Sequence, residues 1–185
     1  STHQRFGKGQ RPALAQEELR PGLGRCGLAA VEGLHAPAIV VDEEQPAAEY
    51  LRQVLEKEGI PVQVFALEPH RPNVVARLKG NGKKKPVLVM GHTDVVTFDP
   101  KKWTFPPFGG TVDGGYVYGR GTVDDKDNVI ASVMTLLSLK RRNVPLDRDV
   151  ILLVEAGEEG TVRVGIKFMT EQHFPKIDAE YCLAE

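Results

Sequence analysis

Apolar residues follow a regular period only in the later part of the chain. In residues 1–43 Gly, Arg, Ala and Pro are scattered without a sustained period, and only Pro12–Arg20 favours a short helix. From Pro46 onward, apolar positions recur at helical spacing up to Gly59, which predicts a surface helix of about three turns. The same spacing predicts two later helices, over residues 129–137 and 162–172.

Short apolar or alternating runs between and after these helices predict the strands of a sheet. They cover residues 61–67, 73–78, 86–90, 149–154 and 178–183. Gly80-Asn81-Gly82 predicts a tight hairpin between the second and third of these strands, and Asp113-Gly114-Gly115 predicts another hairpin. Strands that alternate with helices indicate an α/β domain with a mostly parallel sheet flanked by helices. We expect this domain to cover residues 44–185, after an atypical segment of residues 1–43.

The composition excludes several classes of function. The 185 residues include 24 basic and 25 acidic ones, so no excess of positive charge favours nucleic acid or a membrane as a partner. No apolar run reaches the length of about 20 residues that a membrane-spanning helix needs. Cys26 and Cys182 lie far apart, which argues against a disulfide scaffold or a zinc finger. No signal peptide is visible, and the sequence slightly favours the cytoplasm over a secreted or periplasmic location.

Acidic and imidazole side chains follow the predicted apolar strands. They are His92 and Asp94 after the third strand, Glu158 and Glu159 after the fourth, Glu185 after the fifth, and Asp124 and Asp125 at the start of the long helix. In open α/β sheets, ligands bind at the carboxyl ends of the strands. One imidazole with several carboxylates suits zinc, manganese or cobalt, and an oxygen-rich set suits two ions bridged by one carboxylate.

Each of these residues has a simpler explanation when it is taken alone. Asp124 and Asp125 are typical of a helix cap, Glu158 and Glu159 of a solvated loop, and His92 of a hydrogen-bonded histidine near the core. Together, however, they would pack several like charges without compensation, which is costly unless cations are present. A nucleotide-binding loop is disfavoured, because no glycine-rich segment matches a strand-to-helix phosphate loop.

Four motifs in a fixed order carry a resemblance to a known family. They are Gly91-His92-Thr93-Asp94-Val95-Val96, Trp103 with Pro106-Pro107-Phe108, Gly119-Arg120-Gly121-Thr122-Val123-Asp124-Asp125-Lys126, and Glu155-Ala156-Gly157-Glu158-Glu159-Gly160. In this order they resemble the signature of the M20 metallopeptidase family, which includes carboxypeptidases, carnosinase-like dipeptidases, aminoacylases and acetylornithine or succinyl-diaminopimelate deacylases. The resemblance covers about residues 46–185 and implies a zinc-peptidase-like catalytic domain.

The resemblance implies two zinc ions, with cobalt or manganese as alternatives. His92, Asp124 and Glu185 would bind the first ion, and Asp124 would bridge it to a second ion held by Glu159. Asp94 would hold the His92 ring in orientation, as carboxylates behind metal ligands do.

The resemblance further implies a hydrolase that cleaves a peptide or N-acyl amide bond. Glu158 would be the general base, which takes a proton from the water between the two zinc ions and passes it to the departing amine. Because neighbouring side chains diverge, Glu158 can face the substrate while Glu159 faces the metal. A cis peptide bond is implied between Asp124 and Asp125. The alternative function is that of a non-catalytic metal-binding or interaction remnant of the same fold.

The chain departs from the family pattern at both ends. Family members continue into a lid or dimerisation domain and supply a late histidine to the second zinc, and neither is seen before Glu185. We therefore expect a truncated domain that is inactive alone. Its second zinc would lack one ligand, and homodimerisation would require the missing lid domain. His173 is interpreted as a surface or packing residue. Residues 1–43 suggest an unrelated or wrongly translated segment. Three aromatic residues either line the substrate cleft or pin a loop: Trp103, Phe105 and Phe108.

Overall fold

The structure, a computed structural model, describes residues 43–185. Two expectations for the N-terminal part, the short helix at Pro12–Arg20 and the hypothesis of an unrelated segment, lie outside the described residues. The expected start of the domain at residue 44 stays a prediction.

The described part alternates between strands and helices. Its helices are α1 (Gln45–Lys57), α2 (Lys126–Arg141), α3 (Ile166–Gln172) and α4 (Phe174–Ile177), with a 3-10 turn at Pro100–Lys102. Its strands are β1 (Val62–Ala66), β2 (Pro72–Leu78), β3 (Val87–His92), β4 (Thr111–Asp113), β5 (Tyr116–Tyr118), β6 (Val150–Glu155) and β7 (Tyr181–Leu183). The predicted α/β class is confirmed, and each predicted helix and strand within the described residues is present.

Five strands form one sheet in the order β1-β2-β6-β3-β7. The pairs β1 with β2 and β2 with β6 are antiparallel, whereas β3 runs parallel to both β6 and β7. The sheet is therefore mixed rather than mostly parallel. Its parallel half contains β3, β6 and β7, the three strands that the candidate metal-binding residues follow. Their carboxyl ends lie at one edge of the sheet, as expected for parallel strands.

The predicted hairpin between β2 and β3 is wrong, because β6 lies between these two strands. Gly80 serves another purpose: a Cβ at this position would collide with the main chain of Arg148, which leads into β6. The main-chain N–H of Asn81 donates to the carbonyl of Leu146 at 2.8 Å. Residues 80–82 thus pack along the segment before β6. The other predicted hairpin is confirmed, since β4 pairs with β5 as a separate two-stranded sheet.

Strand β6 occupies the centre of the sheet because both of its faces are apolar, and all six of its residues are buried. Leu152 and Val154 pack in a cluster with Leu55 of α1 and Leu136 of α2. Ile151 and Leu153 point to the other face, where three apolar residues of α3 and α4 cover them, namely Phe168, Met169 and Ile177. Helices therefore cover both faces of the sheet. None of the helices in residues 43–185 has the length and apolar character that crossing a membrane requires.

Helix α3 begins later than the predicted residue 162. The main-chain N–H of Ile166 donates to the buried carboxyl group of Glu155 at 2.5 Å, which starts the helix at that residue. A Cβ at Gly165 would collide with the same carboxyl group. The contact with Glu155 therefore determines where the loop after β6 ends.

Candidate metal centre at the edge of the sheet

His92 is the last residue of β3, and its side chain is only 3% exposed. Its ring nitrogen Nδ1 lies 3.0 Å from the carbonyl oxygen of Asp94. A carbonyl can only accept, so Nδ1 carries the proton in this contact and Nε2 remains the atom that can bind a metal. Nε2 points to the edge of the sheet, where it lies 3.1 Å from Oδ1 of Asp124.

Two neighbouring aspartates at the start of α2 have different surroundings. The side chain of Asp124 is 60% exposed at the sheet edge. The side chain of Asp125 is buried, and its Oδ2 accepts a hydrogen bond from the main-chain N–H of His92 at 2.9 Å. Gly91 leaves room for this contact, since a Cβ there would collide with Asp125 Oδ2. The peptide bond between the two aspartates is cis, as the resemblance implied. The contact of Asp125 with the backbone of β3 was not predicted from the sequence.

His92, Asp124 and Glu185 form the one group of three potential metal-ligating side chains found among residues 43–185. One donor atom from each of these residues can be chosen so that all three atoms lie within 4.8 Å of one another. These are the three residues that the resemblance assigns to the first zinc. The structure thus brings together residues from the end of β3, the start of α2 and the segment after β7.

Asp94 connects His92 with the loop that carries the two glutamates. Its carboxylate oxygens accept from the main-chain N–H of Glu158 at 3.0 and 3.1 Å, and one of them also accepts from the N–H of Glu159 at 3.0 Å. The same carboxylate is 3.4 Å from His92 Nδ1, farther than the Asp94 carbonyl. Asp94 therefore contacts the ring chiefly through its main chain, while its carboxylate holds the loop after β6.

Neither of the two glutamates belongs to the group of three, but Glu158 comes close to His92. Glu158 Oε2 is 3.9 Å from His92 Nε2, and its side chain is 49% exposed, so it faces both the site and solvent. The carboxyl group of Glu159 lies outside the group of three. Burial, followed by the charge of Asp124, raises the pKa of Glu159. The role of Glu159 as a ligand of a second metal stays a prediction.

The electrostatics of the site favour a bound cation. Burial opposes a charged His92 ring, but the Asp94 carboxylate, the Asp94 carbonyl and the charge of Asp125 together outweigh burial and raise the pKa of His92 to about 9. A hydrogen-bonding interaction with the Asp125 carboxyl, followed by burial and the charges of Asp125 and Asp124, raises the pKa of Glu185 to about 7. Several carboxyl groups therefore compete for protons around one imidazole. A divalent cation would relieve their mutual repulsion, and an imidazole with carboxylates is a donor set that zinc accepts.

The aromatic residues between β3 and β4 pack mainly on one another. The ring of Phe98 meets Trp103 and Phe108 edge to face, with ring centres 6.3 and 5.2 Å apart. Phe105 packs against Tyr118 at 4.7 Å. These contacts support the explanation that the aromatic residues pin the loop.

A cavity of about 400 Å³ adjoins the site. It is lined by Asp94 and Glu159 together with Glu44, Arg71, Val95, Val96, Thr97, Gly160 and Thr161.

His173 is a packing residue, as expected. Its ring lies between two aromatic rings, with centres 4.3 Å from that of Phe65 and 4.8 Å from that of Phe168. These partners belong to β1 and α3, so His173 joins the sheet to the helix that covers it.

Known proteins resemble this chain in sequence. The profile of peptidase family M20/M25/M40 matches residues 88–185. A probable succinyl-diaminopimelate desuccinylase of Staphylococcus aureus is 39% identical over 120 residues, which cover 64% of this chain and 29% of that protein. The N-formyl-4-amino-5-aminomethyl-2-methylpyrimidine deformylase of Halalkalibacterium halodurans is 36% identical over 116 residues, 61% of this chain and 27% of that protein.

Solved structures show the same fold. An M20 family metallo-carboxypeptidase from Sulfolobus solfataricus superposes with a TM-score of 0.71 and 27% identity, covering 85% of this chain and 36% of that one. Human carnosine dipeptidase 1 gives a TM-score of 0.63 and 22% identity, covering 77% of this chain and 33% of that one. The matches to these four proteins therefore span 27–36% of their lengths.

Proposed function

The chain belongs to peptidase family M20/M25/M40, and we therefore propose that the protein is a metal-dependent hydrolase of a peptide or N-acyl amide bond. The observation that carries the proposal is the convergence of His92, Asp124 and Glu185, whose donor atoms lie within 4.8 Å of one another. The relatives described above are named as a desuccinylase, a deformylase, a carboxypeptidase and a dipeptidase. Removal of an acyl group from nitrogen and cleavage of a peptide bond are both hydrolyses of an amide.

We propose that His92, Asp124 and Glu185 hold a first zinc ion and that Asp124 shares a second one with Glu159, with cobalt or manganese as substitutes. When bound, such cations polarise the amide carbonyl and lower the pKa of water. The chain's own residues fit this role, since they provide one imidazole, held in one tautomer by the Asp94 carbonyl, and several carboxylates.

Glu158 is the proposed general base. Its half-exposed carboxylate lies 3.9 Å from His92 Nε2, so it can reach both the metal-binding group and a substrate in solvent. In this role it removes a proton from the attacking water and delivers that proton to the nitrogen of the leaving amine. Asp94 supports the step by holding the main-chain N–H groups of Glu158 and Glu159.

We place the substrate among peptides and N-acyl amino acids. The balance of basic and acidic residues favours neither nucleic acid nor a membrane as a partner. Among the relatives compared, those with the higher identity to this chain, 39% and 36%, are named as deacylases. An N-acylated amino compound is therefore the first substrate class to test.

Two experiments test the proposal. The 185-residue chain is titrated with Zn²⁺ by calorimetry, and His92→Ala is expected to weaken binding strongly while still allowing the chain to be loaded at high Zn²⁺ concentration. The complete natural polypeptide, loaded with zinc, is then assayed on N-succinyl and N-formyl amino acids and on dipeptides. Glu158→Gln should keep the metal and lose hydrolysis, by at least about 100-fold, the lower end of what general base catalysis contributes. Hydrolysis that survives in Glu158→Gln, or zinc binding unchanged in His92→Ala, would contradict the proposal.

A further inference from the structure

Ala156, which directly follows β6, has both of its main-chain polar groups held by side chains that lie just before and at the start of β2. Its N–H donates to Oδ1 of Asn73 at 3.1 Å, and its carbonyl accepts from Nη2 of Arg71 at 2.6 Å. Ala156 and Asn73 are fully buried, and Arg71 is nearly so. These two contacts fix the chain two residues before Glu158.

Asn73 also holds the far end of the same segment, residues 156–165, which we term the glutamate loop. Its Nδ2 donates to the carbonyl of Val164 at 2.8 Å, so one amide side chain closes the loop at both ends. Within the loop, a Cβ at Gly157 would collide with Thr161 and Val164, which shows how closely the loop packs on itself. Asn73 therefore determines where this compact loop sits on the sheet.

Arg71 is oriented by a buried partner. Its Nε and Nη2 donate to the two carboxylate oxygens of Glu44 at 3.1 and 3.3 Å, and the Glu44 side chain is fully buried. Burial outweighs these contacts and raises the pKa of Glu44. Because the desolvation cost of a buried ion pair can exceed the attraction between its charges, stability alone is a weak reason for such a pair. Its geometry places the guanidinium against the Ala156 carbonyl.

The glutamate loop is linked in turn to the metal-binding group. The main-chain N–H groups of Glu158 and Glu159 donate to the Asp94 carboxylate, and the Asp94 carbonyl faces His92 Nδ1. A shift of the loop would therefore displace the Glu158 carboxylate and would also disturb the group that orients the His92 ring.

We propose that Asn73 and Arg71 are positioning residues, which place Glu158 and Glu159 at the sheet edge and, through Asp94, align His92 for metal binding. The inference rests on the proposed function, because it assigns these residues a role toward the metal. It goes beyond that function by assigning a role in the metal site to side chains outside the four motifs that carry the family resemblance.

The test compares Asn73→Ala with Arg77→Ala in the 185-residue chain. Arg77 is a matched control because it lies on the same strand, where it donates to Asp149 and to the carbonyl of Lys176, away from the glutamate loop. Both substitutions remove hydrogen bonds of β2 and should lower stability. Only Asn73→Ala should weaken Zn²⁺ binding, by roughly three- to tenfold, less than the 10–100-fold typical of groups in direct contact with metal ligands. The visible absorption spectrum of bound Co²⁺ should change only in Asn73→Ala.

A second variant, Arg71→Lys, keeps a cation beside Glu44 and covers the case in which Asn73→Ala does not fold, as judged by circular dichroism. It should also weaken Zn²⁺ binding, because one ammonium group cannot reproduce the forked contacts to both Glu44 and Ala156. If the wild-type chain binds zinc and the folded variants bind it equally well, with an unchanged Co²⁺ spectrum, the positioning role is overturned and the proposed function stands. If the wild-type chain binds neither Zn²⁺ nor Co²⁺, both the positioning role and the proposed function are overturned.

Discussion

Asp94 accepts hydrogen bonds from the main-chain N–H of Glu158 with both of its carboxylate oxygens, at 3.0 and 3.1 Å. This contact ties the segment after β3 to the glutamate loop after β6, so the candidate ligand His92 and the candidate base Glu158 share one anchor. Burial works against the charge on Asp94, but the His92 ring and the N–H groups of Glu158 and Glu159 outweigh burial and lower its pKa.

Replacing Asp94 tests this anchor. In Asp94→Asn the negative charge is lost, and the charge is one of the causes that raise the pKa of His92. We expect the pKa of His92 in the metal-free chain to fall, as measured by NMR titration of the imidazole ring protons. Zinc affinity should fall roughly tenfold, as for other groups that orient metal-bound histidines. An unchanged His92 pKa would show that the Asp94 carboxylate does not act on the ring. Asp113→Asn in the exposed β4–β5 hairpin is the control for loss of one negative charge.

Zinc binding should release protons, and its affinity should rise with pH. The pKa of His92 is raised to about 9 and that of Glu185 to about 7, so below these values each group carries a proton that zinc must displace. Affinity should therefore increase from pH 6 to pH 9, steeply below about pH 7 and less steeply above it. Calorimetry in buffers with different heats of ionisation counts the protons released. An affinity that does not vary over this range would contradict the assignment of these two groups as ligands.

Asp149 stabilises the end of the sheet opposite the site. Its carboxylate accepts from Arg77 at 3.0 Å, Lys79 at 2.8 Å and the N–H of Gly80 at 2.9 Å. Burial opposes its charge, but these donors outweigh burial and lower its pKa to about 2. We expect Asp149→Asn to lower the free energy of unfolding by about 1–2 kcal/mol at pH 7.

The pH dependence of this effect follows from the direction of the pKa shift. The Asp149 pKa is lower in the folded chain, so the stabilisation is complete above the unfolded pKa of about 4 and is lost as the pH falls through about 2. Urea unfolding of wild type and Asp149→Asn should therefore show a difference in stability at pH 7 that shrinks between pH 4 and pH 2. A difference that is the same at both ends of this range would contradict the ionic explanation.

Leu152 is a fully buried residue of the hydrophobic core at the centre of β6. Leu152→Ala should lower the free energy of unfolding by about 2–5 kcal/mol, because the neighbouring helices and strands cannot close the cavity completely. Val112→Ala is the control, since Val112 is 71% exposed on the β4–β5 hairpin and should change stability by less than about 0.5 kcal/mol. If chemical denaturation shows that the two substitutions lower the free energy of unfolding equally, Leu152 does not contribute to the core as expected.

The helices and strands were predictable because burial on one or both faces leaves a period in the sequence. The strand that pairs with β2 was not predictable, because the glycines of residues 80–82 indicate a turn but do not indicate which strand lies beside β2. The six buried residues of β6 place that strand between β2 and β3. The antiparallel pairing of β2 with β6 has no local signal in the sequence, because these two strands lie far apart along the chain.

The candidate site was predictable where its residues follow strand ends. His92, Asp124 and Glu185 meet because β3 and β7 run parallel and α2 begins at the same edge. The supporting residues were not predictable. Asn73 and Arg71 reach Ala156 from 83 and 85 residues away, and neither belongs to a local motif. Such contacts depend on which strands become neighbours, which only the folded chain shows.

We propose that the imidazole of His92 and the carboxylates of Asp124 and Glu185 hold a metal ion. The most direct measurement is the zinc X-ray absorption spectrum of the zinc-loaded chain, recorded for wild type and for His92→Ala. We expect a shell of nitrogen and oxygen neighbours at about 2.0–2.2 Å, with an imidazole contribution that disappears in His92→Ala. A sulfur neighbour at about 2.3 Å, or an imidazole contribution that remains in His92→Ala, would contradict it.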